Sequence, residues 1–252
     1  MMIEQQSVKV GSAAIAYQVA GSGPPVILVH GLAGSSRWWA RNITHLAQSF
    51  QVYAIDLIGF GESRGHRPFN LDEAAGHLAN WMDSLGIARA SIIGHSMGGF
   101  IVANLAADFP EHVERLMLVG AAAIPLNRRY PWQTLGPVRG LFDLTFASFS
   151  LLVIDAYRAG PTTIWKAARD LGTADITDKL SGIQAPTLVI WGEHDPIIPL
   201  RAGKQITSIL PNAELVVIRD AGHNVMWDRP EAFNRAVMDF LTGESGNRNH
   251  RS

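Results

Sequence analysis

The chain of 252 residues contains no cysteine, which excludes disulfide bonds, thiolate catalysis and thiolate metal sites. Its formal net charge of -1 provides no strong field for binding nucleic acid. The longest mostly apolar run, residues 141–154, contains Asp143 and is too short to span a bilayer, so we expect no stable membrane association. The N-terminal residues lack the basic and apolar regions of a secretory signal. We therefore expect a cytoplasmic protein that does not bind nucleic acid.

Hydrophobic residues make up 47% of the chain and charged residues 17%, a composition typical of a globular protein with a large core. No group of His, Asp and Glu residues has the spacing of metal ligands, and no Gly-x-Gly-x-x-Gly follows a predicted strand. We therefore predict that the protein uses no metal and no other cofactor.

Strand and helix patterns alternate along most of the chain. Apolar runs predict strands at 7–10, 13–19, 26–29, 52–55, directly before Gly94, 116–119, 187–191 and 215–218. Helical patterns lie at about 36–48, 70–85, 97–108, 141–158, 162–171, 202–209 and 230–241. The alternation predicts a mostly parallel sheet with helices on both faces, interrupted between about 120 and 183 by one helical insertion.

The segment Gly94-His95-Ser96-Met97-Gly98 joins a short apolar strand to a helical pattern. It fits G-x-S-x-G, in which a serine lies at the tip of a sharp strand-to-helix turn. Side chains two residues before and after the serine would collide with the neighbouring strand and helix, so both positions favour glycine. An incidental serine in a glycine-rich turn is the alternative interpretation. The flanking strand and helix favour Ser96 as a nucleophile.

A serine hydroxyl needs a general base, and the base needs a carboxylate that orients it. Asp195 directly follows the strand predicted at 187–191, and His223 directly follows the strand predicted at 215–218. Taken alone, Asp195 would be interpreted as a turn residue and His223 as a loop histidine. Because the carboxyl ends of parallel strands meet at one edge of a sheet, we predict that both side chains join Ser96 there.

An acyl-transfer site also needs two N–H groups that stabilise a developing oxyanion. The N–H of Met97 is one candidate. The second is the N–H of Leu32, which follows His30-Gly31 in the loop after the strand at 26–29. A polar turn at a strand end is the alternative interpretation of this loop.

Several polar residues near these motifs are predicted to be non-catalytic. We expect His95 to point away from the site and to pack or form a hydrogen bond locally. Glu193 and His194 fit the carboxylate position less well than Asp195. Asp56 is expected to hold its own loop through side-chain-to-backbone hydrogen bonds.

These segments together resemble the α/β-hydrolase superfamily, in which the triad follows the order Ser, Asp, His. The resemblance covers nearly the whole chain and implies an eight-stranded sheet whose second strand is antiparallel. It implies Ser96 as nucleophile, His223 as base, Asp195 as its orienting carboxylate, and the Leu32 and Met97 N–H groups as the oxyanion hole. It also implies a core of residues 1–120 and 183–243 with a helical cap at 121–182, and the polar composition of residues 244–252 predicts a flexible tail. The segments that carry the resemblance are His30-Gly31-Leu32, Asp56-Leu57-Ile58-Gly59-Phe60-Gly61-Glu62-Ser63, Gly94-His95-Ser96-Met97-Gly98-Gly99, Gly192-Glu193-His194-Asp195-Pro196 and Gly222-His223.

The residues after His223 are similar to the C-terminal part of hydrolases that cleave carbon–carbon bonds in ring-cleavage products. Those enzymes carry Trp directly after the histidine, where this chain has Asn224. Enol-lactonases, carrier-protein methyl esterases, carboxylesterases and cofactor-free haloperoxidases share the same motifs. Haloalkane dehalogenases and epoxide hydrolases of this fold use an aspartate nucleophile, and Ser96 argues against both.

The insertion is rich in apolar residues, which predicts ordinary packing on the core together with an apolar substrate pocket. Trp39, Trp165 and Val225 are the candidates for the pocket lining. The sequence thus predicts a serine hydrolase that acts on a small to medium carboxylic ester with an apolar part. Carbon–carbon bond hydrolysis or enol-lactone hydrolysis by the same triad is one alternative, and a ligand receptor without turnover is another. The sequence does not indicate an oligomeric state.

Overall fold

The computed structural model describes residues 2–65, 69–125 and 146–243. The predicted tail at 244–252 and the first part of the helix predicted at 141–158 lie outside these residues. Strands within them form one eight-stranded sheet in the order β1-β2-β4-β3-β5-β6-β7-β8. The strands are β1 Glu4–Val10, β2 Ala13–Ala20, β3 Pro25–Val29, β4 Gln51–Ile55, β5 Ala90–His95, β6 Val113–Val119, β7 Thr187–Gly192 and β8 Ala213–Ile218.

Strand β2 is antiparallel to both of its neighbours, and the pairs from β4 to β8 are all parallel. This confirms the predicted mostly parallel α/β architecture and the antiparallel second strand. The central strands are apolar and buried on both faces, as expected when helices cover both sides of a parallel sheet. Two clusters of buried hydrophobic side chains accordingly lie on the two faces of the sheet.

The helices are α1 Ile43–Leu46, α2 Ala74–Ser84, α3 Met97–Asp108, α4 Phe146–Ala159, α5 Pro161–Thr173, α6 Thr177–Leu180, α7 Leu200–Ile209, α8 Val225–Asp228 and α9 Pro230–Thr242. Helices α4, α5 and α6 lie between β6 and β7, within the predicted insertion. Proline at the first position of α5 and α9 suits a helix start, because that N–H has no partner inside the helix. None of the helices in the described ranges is both long and apolar enough to cross a membrane.

The helix predicted at 36–48 is wrong, because this segment contains a 3₁₀ turn at Ser36–Trp39 followed by the short helix α1. Between them the backbone forms i→i−3 hydrogen bonds, such as Asn42 N–H to the Trp39 carbonyl oxygen at 2.9 Å. The Asn42 amide donates to the Met226 carbonyl oxygen at 3.3 Å and to Asn234 Oδ1 at 2.9 Å, which ties this point of the chain to the C-terminal helices. The helix predicted from residue 70 begins at Ala74 instead.

Candidate active site

Ser96 stands between β5 and α3 with φ 54° and ψ -115°, a region that residues with a side chain seldom adopt. The two glycines of the motif make this turn possible. A Cβ on Gly94 would lie 2.5 Å from the Gly98 carbonyl oxygen, and a Cβ on Gly98 would collide with the end of β3. Met97 is the first residue of α3, so its N–H has no acceptor within the helix. The sharp turn thus presents a serine hydroxyl next to a free backbone donor.

Asp195 and His223 form a buried pair directly after β7 and β8. His223 Nδ1 lies 2.8 Å from Asp195 Oδ2, and the carboxylate side chain is fully buried. The other carboxylate oxygen, Oδ1, accepts the N–H groups of Ile197 and Ile198, each at 2.8 Å. Because a carboxylate accepts, Nδ1 carries the proton of the neutral imidazole, and Nε2 is left with a lone pair. The imidazole is therefore in the tautomer of a general base.

The loop that carries His223 is held by two further hydrogen bonds. The Gly222 N–H donates to Asp228 Oδ2 at 2.8 Å, and His95 Nε2 donates to the His223 carbonyl oxygen at 3.0 Å. Gly120, with φ 50°, lies beneath the imidazole, where an added Cβ would be 3.3 Å from Nδ1. The prediction that His95 points away from the site is therefore wrong, because its side chain lies on the cavity wall and its hydrogen bond joins it to the distant loop of His223.

The loop after β3 passes beside the serine. A Cβ on Gly31 would lie 3.0 Å from Ser96 Cβ, so glycine allows the close approach of this loop. His30 is buried and holds the start of the loop, because its Nδ1 donates to the Gly31 carbonyl oxygen at 2.8 Å and its Nε2 accepts the Leu57 N–H at 3.1 Å. Leu32, the predicted second oxyanion donor, follows directly and lines the cavity.

Asp56 joins two loops through buried hydrogen bonds. Its Oδ1 accepts the Ser36 N–H at 2.6 Å, and its Oδ2 accepts the Glu62 N–H at 2.9 Å. This confirms the predicted structural role and extends it, since the carboxylate also anchors the 3₁₀ turn that follows the loop after β3.

Two histidines near the serine are held in the neutral form. Burial lowers the pKa of His30, although the charges of Asp56 and Asp155 act in the opposite direction. Burial lowers the pKa of His95 well below its usual value, and the neighbouring imidazole of His223 lowers it further. Neutral rings at these positions add no fixed positive charge beside the candidate base.

A cavity of about 550 Å³ opens onto Ser96 and His223. The loop after β3, the ends of the strands, and helices α4 and α5 form its wall. Among the described residues its lining is mostly apolar and contains no Lys, Arg, Asp or Glu. The lining residues are Gly31, Leu32, Ala33, Gly34, Trp38, His95, Ser96, Ala122, Ile124, Pro125, Leu152, Ala168, Leu171, Gly172, Ala174, Ile197, Ile198, His223 and Asn224.

The profile of a family described as alpha/beta hydrolase fold matches residues 24–158 and 158–230. The chain belongs to this family. The family supports a hydrolase, so the site described above is the candidate active site of a hydrolase.

Similar proteins within this family carry the names of different hydrolases. A 2-hydroxy-6-oxononadienedioate/2-hydroxy-6-oxononatrienedioate hydrolase from Burkholderia vietnamiensis is 31% identical over an alignment that covers 89% of this chain and 90% of that protein. The crystal structure of a membrane phospholipase A superposes with a TM-score of 0.83 at 26% identity, covering 96% of this chain and 86% of the other. The enol-lactonase from Burkholderia xenovorans LB400 superposes with a TM-score of 0.77 at 26% identity, covering 94% and 100%. Membership of the family therefore does not fix the substrate.

The three predicted pocket residues of this hydrolase lie elsewhere, which corrects the sequence prediction. Trp39 is fully buried and packs on Phe233, and Val225 is buried in the same cluster on that face of the sheet. Trp165 lies on the outside of α5 and is 64% exposed. Trp38 lines the cavity instead of Trp39, and the choice between two adjacent tryptophans depends on how the 3₁₀ turn docks on the sheet, which the sequence pattern could not reveal.

Three exposed side chains near the loops after β7 and β8 come within 4.8 Å of one another through their potential ligand atoms, namely Glu193, His194 and Asp220. The spacing along the chain did not reveal this group, because Asp220 belongs to a different loop. Glu193 Oε2 accepts the Asp220 N–H at 3.3 Å, so the carboxylate already links the two loops. Exposed acidic groups of this kind are common without a metal, and we assign no ion to them.

Proposed function

We propose that the protein is a serine hydrolase that cleaves carboxylic esters of small to medium size with a neutral, apolar part. One observation carries this choice, namely that the cavity beside Ser96 has a mostly apolar wall without an ionised side chain among the described residues. An apolar acyl or alcohol group loses its contact with water in such a cavity, whereas a carboxylate there would find no cationic partner among the described lining residues. The absence of cysteine supports a cytoplasmic location.

In the proposed reaction the Ser96 hydroxyl oxygen attacks the ester carbonyl carbon while His223 Nε2 takes its proton. Asp195 holds the imidazole in the required tautomer and stabilises the imidazolium through the 2.8 Å contact at Nδ1. His223 then donates the proton to the alcohol oxygen as the carbon–oxygen bond breaks. Water attacks the acyl-enzyme in the same way, which releases the carboxylic acid and restores the serine.

The oxyanion of the tetrahedral intermediate would be bound by the Met97 and Leu32 N–H groups. The first is supported by its place at the start of α3, where the dipole of the helix adds to the hydrogen bond. The second is supported by the close passage of the loop after β3 beside Ser96. Donors that are already in place require no reorganisation when the charge develops.

Carbon–carbon bond hydrolysis by the same residues is the second candidate, and the 31% identical relative named as a hydrolase of a dienedioate favours it. A dienedioate carries two carboxylates, which need cationic partners in a low-dielectric site. The described lining residues include no such partner, so the cations to vary for this candidate are the arginines of the insertion that lie outside the described residues. They are Arg128, Arg129 and Arg139. Comparing kcat/KM on a 2-hydroxy-6-oxo-dienoate and on p-nitrophenyl butyrate separates the two functions, since a much higher value for the dienoate would overturn the ester proposal.

The central test is Ser96→Ala. We expect this variant to lose roughly 10⁴-fold or more of kcat on p-nitrophenyl butyrate, because the covalent route is then closed. An organophosphonate should add one equivalent of mass to the wild type and none to the variant. Full esterase activity of a pure Ser96→Ala preparation would refute the mechanism. Binding of the ester without turnover or labelling would favour a receptor.

A further inference from the structure

The cap helix α4 carries a carboxylate that is completely buried. Asp155 has 0% of its surface exposed, and it lies one turn from Leu152, which lines the cavity, and one turn from the buried Ala159. The opposite face of the same helix leaves Val153 and Tyr157 exposed. A charged residue on the inward face of an amphipathic helix needs a specific partner there, because burying an unpaired carboxylate costs several kcal/mol.

The partners of Asp155 come from the core, more than a hundred positions earlier in the chain. The Ser35 hydroxyl donates to Asp155 Oδ2 at 2.7 Å, and the Arg37 guanidinium forms an ion pair with Oδ1. The Ser35 oxygen also accepts the Arg37 N–H at 3.3 Å, which caps the 3₁₀ turn at Ser36–Trp39. These contacts join α4 of the cap to one short segment of the core.

That segment is the continuation of the loop with the proposed oxyanion donor. Ser35 follows Leu32 by three residues, and between them Ala33 adopts φ 57°, a conformation that costs energy for a residue with a side chain. The near end of the loop is fixed by the hydrogen bonds of His30. Its far end is fixed by Asp56 from the core and by Asp155 from the cap. The position of the Leu32 N–H therefore depends on a contact from each side of the cavity.

We propose that Asp155 is a positioning residue that completes the oxyanion hole when α4 is seated on the core. With its hydrogen bond and ion pair in place, the loop holds the Leu32 N–H towards Ser96. Without them, the strained loop can relax and move this donor. The cap would thus link enclosure of the substrate to assembly of the catalytic donors. This inference rests on the proposed function, since it needs an oxyanion on a substrate bound to Ser96.

A second link between the cap and the core provides a matched control. Arg158, on the same helix, forms an ion pair with Glu62 at 2.7 Å, and both side chains are partly exposed. Glu62 belongs to the turn at Gly61–Ser63 and not to the loop after β3. Glu62→Gln therefore weakens the seating of α4 and keeps the backbone N–H that Asp56 accepts. It removes no hydrogen bond or ion pair of the loop with the oxyanion donor and takes away only a longer-range charge on Arg37.

The experiment compares wild type, Asp155→Asn, Ser35→Ala and Glu62→Gln with p-nitrophenyl butyrate and with an alkyl trifluoromethyl ketone. The ketone forms a tetrahedral adduct with the serine, so its Ki reports the oxyanion hole. We expect Asp155→Asn to lower kcat by roughly 10- to 100-fold with a smaller change in KM, as small misplacements of catalytic groups do. Its Ki for the ketone should rise by a similar factor. Ser35→Ala should move both values in the same direction, and Glu62→Gln should leave both within about twofold.

An unchanged Ki for the ketone in Ser35→Ala and in Asp155→Asn would overturn the inference. An equal loss of kcat and ketone affinity in Glu62→Gln would also overturn it, because the effect would then come from the seating of α4 alone. If Asp155→Asn does not fold, Ser35→Ala decides, because it removes one hydroxyl and keeps the ion pair with Arg37. Organophosphonate labelling of wild-type Ser96 distinguishes a failure of the proposed function from a failure of the proposed role of Asp155. Absence of labelling refutes the proposed function, whereas labelling with unchanged ketone binding in both variants refutes the role of Asp155 alone.

Discussion

The two sides of the cavity differ in the kind of residues that line them, since the polar lining residues that the structure describes all lie on one side. On the sheet side, the ends of β5, β7 and β8 place Ser96, Asp195 and His223 in buried positions, and hydrogen bonds hold the Asp195 carboxylate and the His223 imidazole. The other side, called the cap side here, is formed by α4 and α5, which lie between β6 and β7. These helices contribute apolar side chains to the lining and leave large apolar side chains on their outer faces. The exposed ones are Phe149, Val153, Ile154, Tyr157 and Trp165.

The difference separates two tasks. The proposed triad needs fixed distances, and strand ends whose backbone is held in the parallel ladder would supply them. A binding pocket needs shape and volume, which helices at the cap supply through replaceable apolar side chains. We therefore expect substitutions on the sheet side to change the rate on every ester and substitutions on the cap side to change the choice among esters.

The largest effect is expected for Asp195→Asn on the sheet side. The amide can turn its NH₂ group towards the imidazole, so Nδ1 becomes an acceptor and Nε2 carries the proton. The base is then in the wrong tautomer, and kcat should fall about 10⁴-fold on short and long p-nitrophenyl esters alike. Glu193→Gln, an exposed change in the same loop, should keep the activity within about twofold. A loss below about tenfold in Asp195→Asn would show that the sheet side does not act through this pair.

The sequence could reveal the sheet side because its chemistry follows strands directly. Gly94, Ser96 and Gly98 are close along the chain, and the local backbone alone explains their spacing. Asp195 and His223 are distant in sequence, yet each follows an apolar run whose end the parallel topology brings to one edge. The fold class and the buried Asp195–His223 contact agree with that expectation, and the antiparallel β2 agrees with what the family resemblance implied.

The cap side could not be predicted to the same depth, because its contacts depend on how helices rotate and dock. Trp38 and Trp39 are adjacent and share one buried cluster, yet only Trp38 lines the cavity. Asp155 looks like an ordinary polar position in a helical pattern, and its pairing with Ser35 spans 120 residues. Non-local contacts of this kind leave no periodic signal in a single sequence.

A smaller effect is expected for Leu171→Phe on the cap side. Leu171 is half-buried on α5 and lines the cavity, so a larger ring takes volume from the end that a long acyl chain would fill. The ratio of kcat/KM for p-nitrophenyl octanoate to that for p-nitrophenyl acetate should fall roughly tenfold. Val153→Phe, on the exposed face of α4, is the control and should leave the ratio unchanged. An unchanged ratio in Leu171→Phe would contradict the assignment of selectivity to the cap.

The smallest effect concerns stability and tests His95, whose imidazole donates a hydrogen bond to the His223 carbonyl oxygen. Burial lowers its folded pKa, so below pH about 6.5 the unfolded chain binds a proton that the folded protein does not. The contribution is absent above this pH, where the ring is neutral in both states. As the pH falls towards the folded pKa, this site should lower the free energy of unfolding by up to about 1.4 kcal/mol per pH unit. Urea unfolding of wild type between pH 7 and 5 should show this slope together with that of His30, whose pKa is also lowered. His95→Gln should reduce the dependence of the unfolding free energy on pH by the contribution of one proton. His194→Gln, a change at an exposed histidine, should leave this dependence unchanged. Equal slopes in both variants would mean that His95 does not stay neutral in the folded protein.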